Sequence, residues 1–201
     1  MFYGCTVLTG VTIPDGVNSI GYSAFCGCTG LTSIAIPERV TAIGDEAFKN
    51  CTGITDVVVP DSVTEIGYRA FEGCSALTSI TLPFVGATKD GSKNTHFGYI
   101  FGAFHYGGNP TCVPSDLQTL IITGGTSIAD CAFYYCTGLT SIEMPNSMTS
   151  IGSRAFQSCS SITSIQFQGT ASQWDAVTKR NYWNEKTGAY TVYCTDSTVS
   201  K

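Results

Sequence analysis

The chain has 201 residues, a formal net charge of −5 and 12% charged residues, about half of the roughly 25% that is usual for soluble domains. It contains no basic cluster, so the sequence lacks the electrostatic footprint of a nucleic-acid binder. No apolar run approaches the roughly 20 residues that a helix needs to cross a bilayer, and the sequence therefore predicts no membrane span.

A cysteine that returns every 23 residues marks an internal repeat. The spacing is lost once and then resumes, and the cysteines in this register are Cys5, Cys28, Cys51, Cys74, Cys136 and Cys159. A period this strict predicts a solenoid, in which each unit buries its apolar positions against its neighbours. Because Phe2 to Cys5 already aligns with Phe25 to Cys28, we expect the chain to start inside a repeat, as a fragment of a longer protein.

Each repeat begins with a short alternating run such as Ile34-Ala-Ile36. Alternation predicts a strand whose outer two side chains point inward, and strands stacked at a constant period can only pair in parallel. A proline such as Pro37 ends the strand because it has no N–H to donate. We expect Gly44 and its equivalents to supply backbone freedom at the next corner, and 45–51 to form one helical turn held by a column of buried phenylalanines.

The ten cysteines raise the question of disulfides. Equivalent residues on successive coils lie about 4.8 Å apart with parallel side chains, whereas a disulfide needs Cβ atoms that face each other. We therefore predict that the six periodic cysteines are reduced and structural. The remaining four, for which the sequence gives no pairing, are Cys26, Cys112, Cys131 and Cys194. Reduced cysteines fit either a reducing compartment or an anaerobic exterior, so they do not predict where the protein is located.

The repeat is interrupted between Leu77 and Leu117, which are 40 residues apart, 17 more than one period. The insertion lies within 84–116 and is rich in aromatic residues, including Phe97, Tyr99 and Tyr106. Two interpretations stay open: the rings rebuild the core of a distorted coil, or they also form a binding lobe, since insertions in repeats often map to one binding face. The histidines at 96 and 105 and Cys112 are too scattered to predict a zinc site.

The repeat ends near residue 168, and 169–201 is predicted to be a capping segment that covers the last coil. Within it, Ser172 and Asp175 have the spacing of a helix capping pair, and the residues from Ala189 to Cys194 alternate like a strand. We expect Trp174 and Trp183 to close the open end of the solenoid. A carbohydrate-stacking platform is the alternative role for these two rings.

The repeated pattern Leu-x-x-Ile-x-Ile-Pro, then Val-x-x-Ile-Gly-x-x-Ala-Phe-x-x-Cys, resembles the BspA-like leucine-rich repeats of bacterial surface proteins. The resemblance covers Phe2 to about Phe167, apart from the insertion. It implies a repeat solenoid of the α/β leucine-rich-repeat type: a right-handed coil with a parallel β-sheet on its concave face and short helical or 3-10 turns on its convex side. It also implies an extracellular or cell-surface location and adhesion to host proteins or other cells.

No catalytic motif or clustered acid–base pair appears, so the sequence predicts a non-enzymatic protein without a cofactor or a bound metal. The predicted function is a recognition module for a protein or a cell-surface glycan, and the alternative is a structural spacer that displays other domains. The sequence does not predict an oligomeric state. The candidate ligand-binding residues are the outward strand positions and three insertion aromatics: Ser33, Ala35, Asp56, Val58, Ser79, Thr81, Thr119, Ile121, Ser141, Glu143, Phe97, Tyr99 and Tyr106.

Overall fold

The computed structural model describes residues 2–89 and 91–201, so Met1 of the first predicted repeat and Asp90 of the predicted insertion lie outside the described residues. The described chain is a stack of coils built from short strands and turns. The strands are β1 Ser19–Ile20, β2 Ala42–Ile43, β3 Asp56–Val58, β4 Glu65–Ile66, β5 Ser79–Leu82, β6 Thr119–Ile122, β7 Ser127–Ile128, β8 Ser141–Met144, β9 Ser150–Ile151, β10 Ser164–Phe167, β11 Thr178–Lys179, β12 Thr191–Tyr193 and β13 Thr198–Ser200. The helical elements are 3-10 helices Phe97–Phe101 and Tyr106–Gly108 and short α-helices α1 Asn109–Cys112 and α2 Ala171–Ala176.

The predicted strands form one long sheet. Its order is β3-β5-β6-β8-β10-β12-β13, and every pairing is parallel except the last, between β12 and β13. Isolated bridges from Thr12 to Ala35 and from Ala35 to Val58 carry the same register into the first coils. The apolar strand positions are buried and the middle ones face outward, as the alternation predicts.

A second line of strands, which the sequence did not predict, follows the next corner of the coil. It consists of two separate parallel sheets, β1-β2-β4 and β7-β9-β11. The glycine after these strands is required for space and not for backbone freedom. A Cβ on Gly67 would lie 2.3 Å from the Asp45 backbone nitrogen, and one on Gly152 would lie 2.4 Å from that of Asp130. Neither glycine has a positive φ, so the predicted reason for them was wrong.

The convex segments are series of separate hydrogen-bonded turns, so the predicted single helical turn in each is wrong. Two residues per coil have positive φ, as Glu46 (57°) and Asn50 (58°) do. A continuous helix would use its N–H groups internally, whereas this alternation turns some of them toward the next coil. There Phe48 N donates to Ala70 O at 2.8 Å, and equivalent bonds recur along the stack.

The phenylalanine column and the cysteine ladder lie behind these turns. Rings of neighbouring coils stack, with centroids 5.4 Å apart for Phe48 and Phe71. All ten cysteines are free, and four ladder thiols, those of Cys28, Cys51, Cys74 and Cys159, donate to a carbonyl of the coil before, as Cys51 Sγ does to Phe25 O at 3.1 Å. The ladder is therefore reduced and structural, as predicted. Burial raises the pKa of the Cys51 thiol to about 12 and that of Cys159 to about 12.

The predicted capping segment continues the coil geometry despite its non-repeat sequence. Strand β11 pairs with β9 and β12 with β10, so residues after 168 form one more coil, which β13 then covers. Trp183 takes the place of the next phenylalanine, with its ring centroid 6.2 Å from that of Phe156. The helix α2 is capped by Thr170 and Gln173, not by Ser172 and Asp175. The domain division at residue 168 stays a prediction.

Candidate functional site

The outward positions of the long sheet form two rows that run across the coils. Strand register aligns Asp56, Ser79, Thr119 and Ser141 in the first row, and Ala35, Val58, Thr81, Ile121 and Glu143 in the second. Ser33 is exposed on the coil of Ala35. The structure thus brings together the ten sheet residues that the sequence singled out. Their role in ligand binding stays a prediction.

This sheet face has short side chains and few charges. Its second row has an apolar stretch in which Val58 is 56% exposed and Ile121 is half-buried. The row then becomes polar at Glu143, whose Oε1 accepts a hydrogen bond from Gln168 Nε2 at 2.8 Å. Such a face offers many modest contacts and no large anchor, so any affinity here has to come from its length or from repeated copies.

The insertion packs against the phenylalanine column, away from the outward face of the long sheet. Phe97 is fully buried, its N donates to Ala132 O at 2.8 Å, and its ring lies 5.1 Å from that of Phe133. Phe71 N donates to Ile100 O at 2.8 Å, so Phe101 follows Phe71 in the column. For Phe97 the core alternative holds: this ring rebuilds the column and cannot line a binding surface.

Tyr99, Phe104 and Tyr106 of the insertion lie near the surface with three tyrosines of the regular coils. We use the term aromatic surface for Tyr68, Tyr99, Phe104, Tyr106, Tyr134 and Tyr135. Phe104 is 78% exposed and Tyr106 is 47% exposed, whereas Tyr99 is half-buried. Of these six residues the sequence-based list contained only Tyr99 and Tyr106. The three tyrosines of the regular coils were missed because a single tyrosine on a coil carries no signal of which neighbour it meets, and the sequence did not separate Phe104 from the buried rings of the insertion.

One part of the aromatic surface is a cavity of about 180 Å³ lined by Tyr68, Asn94, Tyr99 and Phe104. The Tyr68 ring lies 5.4 Å from that of Tyr99 and 5.2 Å from that of Phe104, and its hydroxyl donates to Gly102 O at 2.6 Å. Burial, followed by nearby carboxylates, raises the pKa of Tyr99, so its phenol stays neutral. These contacts hold the rings in place, and the amide side chain of Asn94 lines the cavity beside them.

A second part of the surface is formed by Tyr106 and the two tyrosines of the following coil. The ring centroid of Tyr106 lies 5.6 Å from that of Tyr134, which lies 4.7 Å from that of Tyr135. Beside the first part, the Arg69 guanidinium lies 5.0 Å from the Tyr68 ring, within cation–π range. The aromatic surface thus consists of two groups of contacting rings, the first of which has a cation next to it.

The two histidines have structural contacts. His96 is buried, its Nε2 lies 2.9 Å from Ala103 O, and desolvation lowers its pKa. His105 Nδ1 accepts from Gly107 N at 3.0 Å. Within residues 2–89 and 91–201 no three His, Cys, Asp or Glu side chains are grouped so that they could hold a metal ion. In the same part of the chain, no helix has the length and apolarity needed to cross a membrane.

These features define a leucine-rich-repeat solenoid. The family model described as BspA type Leucine rich repeat region matches six copies in residues 1–90 and 114–179, on either side of most of the insertion. The chain belongs to this family, a repeat family of bacterial surface-type proteins that is non-catalytic. The prediction of a non-enzymatic protein is confirmed by that membership. No curated protein matches the chain.

Solved structures of bacterial leucine-rich repeat proteins are similar to the chain. A T. pallidum leucine-rich repeat protein is 26% identical, with a TM-score of 0.54, over 80% of this chain and 68% of its own. A leucine-rich repeat protein from Eubacterium ventriosum is 22% identical, with a TM-score of 0.59, over 89% of this chain and 43% of its own. A leucine rich cell surface protein from Faecalibacterium prausnitzii is 24% identical, with a TM-score of 0.40, over 88% of this chain and 64% of its own.

Proposed function

We propose that the chain is a recognition and adhesion module of a bacterial surface protein, located at the cell surface or outside the cell. Its ligand is a host protein, a glycan or another cell, and its main contact area is the aromatic surface. The observation that carries this proposal is the exposure of Phe104 and Tyr106 beside the fixed rings of Tyr68 and Tyr134.

Exposed aromatic side chains are costly to leave in water, and clusters of them are enriched at the energetic centres of interfaces. The core of the insertion does not need these particular rings, because Phe97 and Phe101 already complete the column. The rings of the aromatic surface are held in place by contacts with one another, so little side-chain entropy would be lost when a ligand binds.

The sheet face is the second contact area in this proposal. Its ten candidate residues are small or half-buried, and each contact there contributes little. Repetition along the solenoid compensates for this weakness, since linked weak contacts raise the effective concentration of the later ones. A ligand that extends from the aromatic surface to the sheet face would therefore depend mostly on the aromatic side chains.

The test is binding of the purified chain to an array of matrix proteins, mucins, glycans and bacterial cells. Phe104→Ser combined with Tyr106→Ser should lower the affinity for any captured ligand at least about tenfold, because truncation of one hot-spot residue costs about 2 kcal/mol. Tyr22→Ser is the matched control, since Tyr22 is 64% exposed and belongs to a regular coil. Equal affinity of both variants, with unchanged unfolding, would remove the aromatic surface from the proposal.

A structural spacer is the second candidate function, and the small residues of the sheet face favour it. A spacer needs only a stable solenoid, so the Phe104 and Tyr106 substitutions would leave the adhesion of cells that display the full protein unchanged. Absence of binding across the whole array, together with unchanged adhesion, would favour the spacer over recognition.

A further inference from the structure

The insertion affects the two lines of strands differently. In the long sheet β5 pairs directly with β6, so the register passes across the insertion without a gap. In the short line the strands separate into two sheets, and the edge of β4 is covered instead by an antiparallel segment that joins Thr88 to Glu65. Strand β7 therefore begins its sheet without a strand before it.

The regular coils show which backbone groups a preceding strand normally satisfies. Thr64 N donates to Thr41 O at 2.9 Å, and Gly67 N donates to Ile43 O at 2.7 Å. The pattern recurs after β7, where Thr149 N donates to Thr126 O and Gly152 N donates to Ile128 O. In these coils the residue that precedes the short strand and the residue that follows it each donate a backbone N–H to a carbonyl of the preceding coil.

The equivalent donors in the coil of β7 are the N–H groups of Thr126 and Ala129. Among residues 2–89 and 91–201, neither has a hydrogen-bond partner within the chain. The Thr126 hydroxyl also lacks a partner there, although the hydroxyls of Thr41, Thr64 and Thr149 all donate to the coil before. The edge of β7 therefore presents the donors of a regular coil without the strand that would accept from them.

A groove of about 220 Å³ lies along this edge. One wall is the segment that contains Thr88 and Lys89, and the other is the backbone of residues 124–129. Phe84 and Ile122 form the apolar part of the lining. Gly91, Gly124 and Gly125 have no side chains, so the backbone of a peptide can approach the groove there. Since Ile66 N donates to Ala87 O and Lys89 N to Thr64 O, the Thr88 N–H points away from β4.

We propose that this groove is a strand-addition site, in which an extended segment of a partner polypeptide pairs in parallel with β7. Two carbonyls of that segment, two residues apart like those of Thr41 and Ile43, accept from Thr126 N and Ala129 N. An extended peptide is the occupant that fits, because an open sheet edge is a template for another strand and backbone hydrogen bonds supply the affinity. Phe84 and Ile122 in the lining favour apolar side chains in the peptide, and Lys89 favours an acidic residue at the rim.

The site shares none of its lining residues with the cavity of the aromatic surface. The strand-addition site is thus independent of the proposed function, and each can fail while the other holds. It also assigns a role to the interruption, since completing the column with Phe97 and Phe101 does not by itself require the open edge at β7.

The experiment is residue-resolved amide hydrogen exchange of the intact chain, with and without a capped peptide that has the sequence of residues 40–44. The free protein should exchange Thr126 and Ala129 rapidly, whereas Thr149 and Gly152, at the same positions of the next coil, should already be protected. Excess peptide should slow Thr126 and Ala129 at least about tenfold. The amides of Asn18 and Gly21 report separately on any binding at the first coil.

The control is the same peptide with proline in place of the residue equivalent to Ile43, which cannot donate to the carbonyl of Ser127. It should give at least about tenfold weaker protection. Slow exchange of Thr126 and Ala129 in the free protein would mean that the edge is already paired within the chain and would overturn the proposal. Two other results would also overturn it. One is protection that rises with protein concentration alone, which indicates a second copy of the chain, and the other is inorganic phosphate that protects these amides as well as the peptide does.

Discussion

The regular coil from Ile54 to Leu77 and the interrupted coil from Leu77 to Leu117 fill the same core by different means. In the regular coil Phe71 stacks on Phe48 with an interplanar angle of 7°, whereas in the interrupted coil Phe97 meets Phe101 at 75°. The long sheet crosses both coils in one register. The solenoid therefore tolerates extra residues on its convex side without losing the register of the long sheet.

The comparison is tested most strongly by removing the ring that rebuilds the column. Phe97→Ala should lower the free energy of unfolding by about 3–5 kcal/mol, the cost of truncating a buried phenylalanine, and Phe133→Ala in the next coil should cost about the same. The measurement is urea-induced unfolding monitored by circular dichroism. Phe104→Ala is the control and should cost less than about 0.5 kcal/mol, because that ring is exposed. A Phe97 variant as stable as the Phe104 variant would contradict core repair.

The interrupted coil also depends on a buried amide for which the regular coils have no equivalent. Asn109 is fully buried, its Oδ1 accepts from Gly98 N at 3.0 Å, and its Nδ2 donates to Ala132 O at 3.0 Å. Asn109→Ala should lower the free energy of unfolding by about 2–4 kcal/mol, since Gly98 N loses its acceptor and Ala132 O loses one of its two donors. The same urea titration measures it, and Asn18→Ala serves as control, because Asn18 is exposed on a regular coil and does not have a positive φ.

The amino-acid sequence was informative where the same position recurs and uninformative where it does not. Six copies of the repeat identified the solenoid, the parallel pairing and the reduced cysteines, because each position was seen repeatedly in an equivalent environment. Asn109 was not predicted, since one asparagine in an irregular loop gives no periodic signal. Tyr134 and Tyr135 were missed for the same reason, as their partner Tyr106 becomes a neighbour only through the path of the insertion.

Periodicity also located residues correctly while suggesting the wrong cause for them. The repeated glycine was read as a flexible corner, yet Gly44, Gly67 and Gly152 lack Cβ atoms because the backbone of the previous coil lies against them. Spacing alone cannot separate a demand for unusual backbone angles from a demand for space. Coil-to-coil distance, which only the structure supplies, distinguishes the two.

Gly67 and its equivalent in the first coil, Gly21, provide a matched test of that explanation. Gly67→Ala should lower the free energy of unfolding by about 1–3 kcal/mol, because the new Cβ would meet the Asp45 backbone and force the coils apart. Gly21 holds the same repeat position, but nothing lies within 4 Å of a Cβ built there. Gly21→Ala should therefore be neutral within about 0.5 kcal/mol. Equal costs at the two positions would indicate a backbone-angle requirement instead.

The smallest expected effect per pH unit concerns the thiol ladder, which the regular coils bury from Cys28 onward, whereas the interrupted coil has Pro114 at the ladder position before Leu117. Burial holds the pKa of Cys51 and Cys159 at about 12, while thiols of the unfolded chain lose their protons from about pH 9. The unfolded state therefore binds fewer protons between these values, and stability falls as the pH rises. Each thiol should contribute about 1.4 kcal/mol per pH unit in that window.

The measurement that isolates one thiol is urea unfolding of Cys51→Ser between pH 8 and pH 11. Serine does not ionise in this range, so the slope of stability against pH should be less steep than in the parent chain by about 1.4 kcal/mol per pH unit above pH 9. Thr52→Ser, at the exposed position after Cys51, keeps the ladder intact and should leave the slope of the parent chain unchanged. Identical slopes for the parent chain and the Cys51 variant would mean that the alkaline loss of stability arises from groups outside the ladder.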